Sequence, residues 1–461
     1  MSLNVRVIFI TALAAACHLQ AQLPPATTAK IDAIAAQVLA ETGAPSASIA
    51  VVKDGKVAYV QAYGKARLEP ATAARTEMRY SIGSVSKQFM AGAILLLAED
   101  GKLSLDDRVG RYLPDLTRAN EITIRQLLSH TSGYQDYYPL DYVAPFMLKP
   151  VTAQGILDIW AKKPLDFDPG TRWQYSNTNF VAAGRIVEKV SGMPLMAFLE
   201  ARILRPLGMT SAIDLAEKSM APSDAAGYTR FALGPPRLAP PEGRGWLFAA
   251  GELAMTAHDL ALWDIGLIEH TLLKPASMDT MIMPTRLKNG APAGYGLGIG
   301  VRDDGGHPRL SHGGAVSGFV SENTVWPDAR TAVVVFSNMD GSNATNAITD
   351  QIAPLLMAEV QDPRAAQEVE QARRIFSDLQ QGNIDRRLLT SDADAYFTPQ
   401  VLSDAAESLN PLGTPQNFRQ LSVELRGGMT YRHYEIRFKD KALHLSTFTT
   451  PDGKLAQYLI Q

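Results

Sequence analysis

Strand-forming sequence in the first 360 residues is concentrated near the two ends of that stretch, and this distribution restricts the fold more than any other feature. Two β-prone runs at 47–52 and 57–64 are joined through Asp54-Gly55, a pair typical of a tight hairpin turn. Short apolar or alternating runs return at 294–301, 316–325 and 331–338. Helical spacing and loops dominate between them. An antiparallel sheet completed by both ends and covered by helices fits this order, whereas a repeated strand–helix–strand pattern does not.

The predicted fold class is therefore α+β, with an antiparallel sheet flanked by helices and a helical subdomain over residues 29–360. A short segment at 361–364 has the composition of a linker. Residues 365–461 are more polar and predict a small C-terminal α+β module, with helices at about 366–381 and 399–409 and four strands. We expect helices packed on a curved antiparallel meander, loosely similar to NTF2-like or cystatin-like modules. A closed eight-stranded barrel needs more strands than this segment supplies.

Composition restricts the partners. Hydrophobic residues make up 46% and charged residues 20% of the 461 residues, which is ordinary for a globular protein. The net charge is −3, and no basic cluster stands out. We therefore expect no nucleic-acid partner and no attraction to an anionic membrane surface.

The first residues have the pattern of an export signal. Arg6 precedes an apolar run at 7–16, which is too short to span a bilayer and has the length of a signal-peptide core. We predict a signal peptide at 1–21 with cleavage after Ala21. The protein is then exported, either periplasmic or secreted, with no transmembrane segment in the mature chain. A buried N-terminal helix is the alternative left open.

Cys17 is the only cysteine of the chain. It follows three alanines, loosely like a lipoprotein site, so lipid anchoring at Cys17 is left open. If Cys17 is removed with the signal, the mature chain has no disulfide, no thiol nucleophile and no cysteine metal site.

A candidate nucleophile lies in the stretch Ser81 to Phe89, which leads into a long apolar segment at 90–103. In a helix, residues three apart share a face, so Ser84 and Lys87 lie side by side. A lysine whose pKa is lowered by burial can take the proton of a serine hydroxyl. Backbone N–H groups at the helix start can bind a developing negative charge. The alternative is a capped helix start with a solvated lysine.

A second candidate segment holds Tyr175 and Asn177, which are two apart just before a predicted helix. In an extended segment that spacing places both side chains on one face. Tyr175 can relay a proton, and Asn177 can hold a substrate amide. Alternatively, Tyr175 is a half-buried loop tyrosine.

A third candidate segment at 309–315 contains His312, Gly313, Gly314 and Ala315. It predicts a strand whose glycines allow close backbone approach by a ligand. A structural role for His312 is the alternative.

These three segments, in this order, resemble the serine β-lactamase-like and penicillin-recognising hydrolases. The branch that the chain resembles contains class C β-lactamases, DD-peptidases, D-aminopeptidases and esterases. Further matching stretches are LLSHTSG at 127–133, FDPGTRWQYSN at 167–177, LGMT at 207–210 and VVVFSN at 333–338. The resemblance covers about residues 30–360 and implies a β-lactamase/transpeptidase-like fold.

The resemblance also implies a role for each candidate residue. Ser84 attacks the carbonyl carbon, and Lys87 helps to remove its proton. Tyr175 exchanges the proton with the leaving group and later activates water, while Asn177 binds the substrate amide. The backbone N–H groups of Ser84 and Ala315 form the oxyanion hole.

His312 departs from the family pattern, because many relatives carry a lysine at this place. A lysine is a permanent cation suited to substrate carboxylates, whereas histidine is mostly neutral at pH 7. Histidine here is similar to family members that act as aminopeptidases, amidases or esterases. The substitution therefore argues against strong β-lactamase activity.

We expect an exported serine hydrolase that acts on amide or ester bonds of a small-molecule or peptide substrate, with a D-residue cell-wall peptide as the first candidate. The alternatives are a β-lactamase or DD-carboxypeptidase, and a non-catalytic penicillin- or cell-wall-binding protein. We expect no metal, because His433 and His444 lack carboxylate neighbours at metal spacing. We expect no cofactor, because the sequence contains no H-E-x-x-H and no G-x-x-x-x-G-K-[ST] motif. His130, in the LLSHTSG stretch, is predicted to be a structural hydrogen-bonding residue. The oligomeric state is left open.

Overall fold

The computed structural model describes residues 23–304, 307–357, 365–439 and 441–460. The predicted signal peptide at 1–21, with Cys17, and the predicted linker at 361–364 lie outside these residues. The chain divides into two compact units. The larger comprises the described residues up to 356, apart from the segment 303–308, which groups with the described residues from 357 onward. Among the described residues, none of the helices combines the length and the hydrophobicity that a membrane span requires.

The first 356 residues contain twelve of the described strands. They are β1 (Ser46–Lys53), β2 (Lys56–Arg67), β3 (Thr72–Ala73), β4 (Tyr80–Ser81), β5 (Ile213–Asp214), β6 (Tyr228–Thr229), β7 (Arg237–Leu238), β8 (Leu253–Met255), β9 (Gly300–Asp304), β10 (His307–Val316), β11 (Phe319–Trp326) and β12 (Thr331–Ser337).

The helices of the same stretch are α1 (Pro25–Thr42), α2 (Ser86–Glu99), α3 (Ile124–Leu128), α4 (Ala153–Ile156), α5 (Asn177–Ser191), α6 (Leu195–Leu199), α7 (Ala257–Ile268), α8 (Pro275–Ile282) and α9 (Ala344–Leu356). Short 3₁₀ turns occur at Gly83–Val85, Val109–Arg111 and Pro145–Leu148, and π-helical turns follow α4 and α6 at Leu157–Ala161 and Glu200–Leu204.

The main sheet has seven strands in the order β3-β2-β1-β12-β11-β10-β9. Strands from the first and last parts of the larger unit meet at the centre of the sheet, where Ala50 of β1 pairs with Val60 of β2 and with Val334 of β12. Asp54 and Gly55 both have positive φ in the turn between β1 and β2. The predicted hairpin is therefore confirmed. The predicted antiparallel sheet, completed by strands from both ends of the larger unit, is confirmed as well.

Helix α2 is the most deeply buried helix of the larger unit, with every residue from Ser86 to Leu97 buried. It contacts α5, and the Phe89 ring lies 4.4 Å from the Trp263 ring of α7. The Trp263 Nε1–H donates to Gln88 Oε1 at 2.9 Å. This packing fixes α2, and therefore the segment just before it, against the sheet and the helical region.

Two predicted element boundaries are wrong. The strand predicted at 294–301 begins only at Gly300, because Gly294 and Gly298 turn the chain with φ of 67° and 70°. The strand predicted at 316–325 begins at Phe319, since a turn with positive φ at Gly318 precedes it.

The described residues from 365 onward form an antiparallel meander with helices. The helices are α10 (Ala365–Gln380), α11 (Ser391–Tyr396) and α12 (Pro399–Leu409), the 3₁₀ turns are Arg386–Leu388 and Asn410–Leu412, and the strands are β13 (Asn417–Arg426), β14 (Met429–Arg437), β15 (Ala442–Thr449) and β16 (Leu455–Ile460). The four strands pair in sequence order. The predicted helices at 366–381 and 399–409 and the predicted meander are confirmed, whereas α11 had no clear sequence signal.

Candidate active site

Ser84 lies in the 3₁₀ turn that directly precedes α2, and Lys87 is the second residue of α2. The Lys87 Nζ is 2.9 Å from the Ser84 Oγ. The two side chains lie together as their spacing predicts, although the turn that carries Ser84 is 3₁₀ rather than α-helical.

Lys87 is completely buried. Its Nζ also contacts Asn177 Oδ1 at 2.8 Å and the Ala250 carbonyl oxygen at 2.7 Å. Burial lowers the pKa of Lys87 to about 7, although the nearby charge of Asp136 opposes this shift. The amine can therefore both bind and release a proton near neutral pH.

The contacts of Lys87 orient its lone pair. The oxygens of Asn177 and Ala250 only accept hydrogen bonds, so a neutral amine donates its two hydrogens to them. The lone pair then faces the Ser84 Oγ, which can donate its proton. This arrangement is the one that a general base for a serine hydroxyl requires.

Asp136, which was not predicted from the sequence, fixes the orientation of the Asn177 amide. The Asn177 Nδ2 donates to Asp136 Oδ1 at 3.1 Å, which turns Asn177 Oδ1 toward Lys87. The backbone N–H of Asn177, the first residue of α5, also donates to Asp136 Oδ1 at 2.9 Å. The only sequence signal was an acidic residue three positions after the turn at Gly133.

Tyr175 lies just before α5, at the wall of the same site. Its ring lies 5.0 Å from the Lys87 Nζ and 4.3 Å, centre to centre, from the His130 ring. Burial raises the pKa of the Tyr175 hydroxyl well above its usual value, while the interaction with Ser84 opposes that shift. Tyr175 is therefore a neutral phenol beside the Ser84 hydroxyl.

His130 supports the Tyr175 segment from behind. It is fully buried, and its Nδ1 accepts a hydrogen bond from the backbone N–H of Ser176 at 3.1 Å. Burial holds its pKa well below the usual histidine value, so its ring is neutral. The predicted structural hydrogen-bonding role of His130 is confirmed.

His312 lies on β10, with its ring centre 6.2 Å from that of Tyr175. Its Nδ1 contacts the Gly313 carbonyl oxygen at 2.6 Å, and its Nε2 contacts the Tyr295 hydroxyl at 2.8 Å. Because a carbonyl oxygen only accepts, Nδ1 carries the proton and Nε2 accepts from Tyr295. Burial, with the charge of Lys87, lowers the pKa of His312 to about 3. The ring is thus neutral, and both of its nitrogens have partners.

The glycines of β10 allow its backbone to approach Ser84 closely. A Cβ on Gly314 would lie 2.1 Å from the Ile82 carbonyl oxygen, and a Cβ on Gly83 would lie 3.0 Å from the Ala315 nitrogen. The Ala315 N–H therefore lies next to the turn that carries Ser84. Two backbone N–H groups close to one serine hydroxyl form the type of site that stabilises an oxyanion.

A cavity of about 770 Å³ opens onto this arrangement. Of the eight residues predicted from the sequence, six line it, namely Ser84, Tyr175, Asn177, Gly313, Gly314 and Ala315. Lys87 and His312 lie behind this wall, where Lys87 contacts Ser84 and Asn177 and the His312 ring neighbours that of Tyr175. The structure therefore gathers the three distant segments at one site.

Tyr295 is a further residue that sequence reasoning missed, because it falls in a segment predicted to be a strand. Replacing Tyr295 with phenylalanine leaves the buried Nε2 of His312 without its donor. We expect the Tyr295→Phe variant to lose about 1–2 kcal/mol of the free energy of unfolding. Urea denaturation of both proteins measures this difference.

A matched control is available at Tyr134, which is also buried but whose hydroxyl has no hydrogen-bond partner among the described residues. The Tyr134→Phe variant should leave the free energy of unfolding within about 0.5 kcal/mol of the wild-type value. Equal losses at Tyr295 and Tyr134 would contradict the assigned hydrogen bond to His312.

The rings of His433 and His444 lie 5.1 Å apart on β14 and β15. Within the described part of the chain, no group of three or more histidine, cysteine, aspartate or glutamate side chains is arranged to hold a metal ion.

Comparison with known proteins places these observations in a family. The family model described as Beta-lactamase matches residues 31–356. Penicillin-binding protein 4* of Bacillus subtilis is 28% identical over 319 residues, covering 66% of this chain and 70% of the relative. A D-aminopeptidase of Brucella anthropi is 28% identical over 320 residues, covering 68% of this chain but only 60% of the relative's length. The crystal structure of a D-stereospecific amidohydrolase from Streptomyces sp. has a TM-score of 0.62 and 26% identity, covering 72% of this chain and 99% of that one.

Proposed function

The chain belongs to the beta-lactamase family of serine hydrolases, and from this premise we propose that it hydrolyses amide or ester bonds through an acyl-enzyme formed at Ser84. The observation that carries the proposal is the 2.9 Å contact between the Ser84 Oγ and the buried Lys87 Nζ. A serine hydroxyl needs such a base before it can attack a carbonyl.

In the proposed reaction, the Ser84 Oγ bonds to the carbonyl carbon as its proton passes to the Lys87 Nζ. The carbonyl oxygen becomes an oxyanion that accepts hydrogen bonds from the backbone N–H groups of Ser84 and Ala315. The bond to the leaving group then breaks, and the leaving group takes a proton through Tyr175. Water, losing its proton along the same route, releases the acid and restores the Ser84 hydroxyl.

The other predicted residues hold this machinery in place. Asn177 has its Oδ1 bonded to Lys87 and its amide nitrogen bonded to Asp136, so it orients the base and offers its remaining surface to a substrate amide. His312 is neutral and bonded to Tyr295, so we assign it a positioning role beside Tyr175 rather than a proton-transfer role.

We propose peptides or amides of D-residues as the substrate class to test first. The names of two relatives, a D-aminopeptidase and a D-stereospecific amidohydrolase, support this choice. The neutral His312 supports it as well, because it offers no fixed positive charge to a substrate carboxylate. We further propose export through the segment 1–21 to the periplasm or the medium, with lipid anchoring at Cys17 as a variant of this location.

A second candidate is a β-lactamase or DD-carboxypeptidase activity, favoured by the similarity to penicillin-binding protein 4*. A non-catalytic binding role is the weaker reading, because binding alone does not need a buried base beside the serine.

Parallel turnover of three substrates separates the two enzymatic candidates. We expect a D-alanyl p-nitroanilide and a p-nitrophenyl ester to be hydrolysed with kcat/KM at least about tenfold above that for nitrocefin. The L-alanyl anilide serves as the stereochemical control. A kcat/KM for nitrocefin above that for the other two substrates would instead favour the β-lactamase or DD-carboxypeptidase activity.

A further inference from the structure

The ionisable acidic and basic side chains that directly line the cavity are all of one sign, and Lys87 lies behind Ser84. Within the described part of the chain, the side chains that line it include four carboxylates but no lysine, arginine or histidine. The four are Asp136, Asp141, Glu322 and Asp340. A cavity of this kind attracts cationic groups and repels anionic ones.

Three of the four carboxylates are either engaged or exposed to solvent. Asp136 accepts from the backbone and side-chain amides of Asn177, and it neighbours the charge of Lys87. Asp340 accepts from the backbone N–H of Gly318 at 2.9 Å. Asp141 is exposed at the cavity mouth. Asp136 and Asp340 therefore already have hydrogen-bond donors, and the charge of Asp141 is screened by water.

Glu322 is different, because it is buried and one of its oxygens is unused. It lies on β11 opposite Gly313 of β10 and is only 6% exposed. Its Oε1 accepts from the Thr324 hydroxyl at 3.0 Å, whereas no hydrogen-bond donor among the described residues contacts its Oε2. A Cβ on Gly313 would lie 3.2 Å from that Oε2, so the glycine leaves the oxygen open to the cavity.

Among the described residues, no arginine or lysine forms a salt bridge with Glu322. Arg309 is paired with Asp350 at 3.7 Å and lies over the Trp326 ring. Burial raises the pKa of Glu322 to about 7, while Thr324, Arg309 and Arg302 oppose the shift and Asp350 reinforces it. A cation bound at Oε2 would favour the ionised carboxylate and so would be held by it.

The position of Glu322 indicates which part of a substrate it meets. Gly313 directly follows His312, whose ring neighbours Tyr175, and Tyr175 is the group proposed to protonate the leaving group. Side-chain positions alternate along a strand, so Glu322 reaches the cavity past Gly313 from the face of the sheet opposite His312. A leaving group that extends from Tyr175 along β10 meets Glu322 there.

We propose that Glu322 is a specificity-determining residue that binds a positively charged group on the leaving-group side of the substrate and disfavours a carboxylate there. This inference rests on the proposed hydrolysis at Ser84. The natural leaving group is then an amine or an alcohol that also carries a protonated amino group, rather than a C-terminal amino acid, which carries a free carboxylate.

Three aryl acetates of similar size test the inference, since aryl esters acylate serine hydrolases readily and these three differ mainly in leaving-group charge. Their phenols carry a para aminomethyl, hydroxymethyl or carboxymethyl group. At about pH 8, where Glu322 is ionised, we expect kcat/KM for the cationic ester to exceed that for the anionic ester by at least about tenfold. The Glu322→Gln variant should bring that ratio to within about threefold of unity while the neutral ester changes little.

Asp279→Asn is the matched control, because Asp279 is an exposed carboxylate on α8 outside the cavity. It should leave the preference for the cationic ester unchanged. If the wild type shows no charge preference, or if Glu322→Gln retains it, the inference is wrong while the proposed function stands. If none of the acetates is hydrolysed, or if hydrolysis survives Ser84→Ala, the proposed function itself is wrong and the inference fails with it.

Discussion

Replacing Ser84 with alanine is expected to lower kcat for ester and amide hydrolysis by at least about 10⁴-fold. The reason is that the variant loses the atom that forms the acyl-enzyme, while the cavity and its hydrogen-bond donors remain. The residual rate should therefore be independent of the Lys87 side chain. Steady-state kinetics of Ser84→Ala, and of the same change combined with Lys87→Met, measure both effects.

Ser86 provides the control within the same turn of chain. Its hydroxyl is buried and accepts from the backbone N–H of Leu253 at 3.3 Å, and in the described part of the chain no hydrogen bond joins it to the Lys87 or Tyr175 side chain. The Ser86→Ala variant should keep its rate within about fivefold of wild type, at a cost in stability of about 1 kcal/mol. Comparable activity losses at Ser84 and Ser86 would mean that the turn, not the nucleophile, had been disturbed.

The rate of hydrolysis is expected to depend strongly on pH through the protonation of Lys87. With a pKa of about 7, Lys87 is an ammonium group at lower pH and cannot accept the proton of Ser84. The rate should therefore fall by about tenfold per pH unit below about pH 7 and level off above it. The Lys87→Met variant should hydrolyse its substrate about 10³-fold more slowly at pH 8. Its pH profile should also lack the acidic limb, that is, the fall in rate below about pH 7.

Lys102, which is exposed, supplies the control for this effect. Lys102→Met should keep the wild-type rate and the wild-type pH profile. An acidic limb that survives in Lys87→Met, or a flat wild-type profile down to about pH 5, would rule out Lys87 as the base.

The same buried amine makes a prediction about stability. Because the pKa of Lys87 is lowered in the folded protein, the unfolded chain binds more protons between about pH 7 and 10.5, and stability should rise with pH over that window. Lys87→Met removes this contribution. Its free energy of unfolding should depend less on pH in that window than the wild-type value does.

Much of the fold could be predicted from local patterns in the sequence. The Asp54-Gly55 pair defined the first hairpin because only a few residue pairs adopt two successive positive φ angles. The i, i+3 spacing joined Ser84 to Lys87 because it depends on helical geometry alone. The failures at 294–301 and 316–325 have the opposite cause, since glycine turns interrupt runs whose hydrophobicity is typical of strands.

The site itself needed information that no local pattern holds. Tyr175 and His312 meet Ser84 only through the sheet order and the packing of α5, so their grouping followed from a family resemblance rather than from spacing. Asp136, Tyr295 and Glu322 were not predicted from the sequence. Asp136 acts through Asn177, Tyr295 acts through His312, and Glu322 faces the cavity only because the register of β10 and β11 sets a glycine opposite it.

Acylation of Ser84 can be observed by mass spectrometry of protein quenched during turnover of p-nitrophenyl acetate. We expect one added acetyl group, located by peptide mapping on Ser84, that forms more slowly at pH 5 than at pH 8 and is absent from Ser84→Ala. An acetyl group on another residue, or continued turnover with no adduct on Ser84 under rapid quenching, would contradict the proposed acyl-enzyme at Ser84.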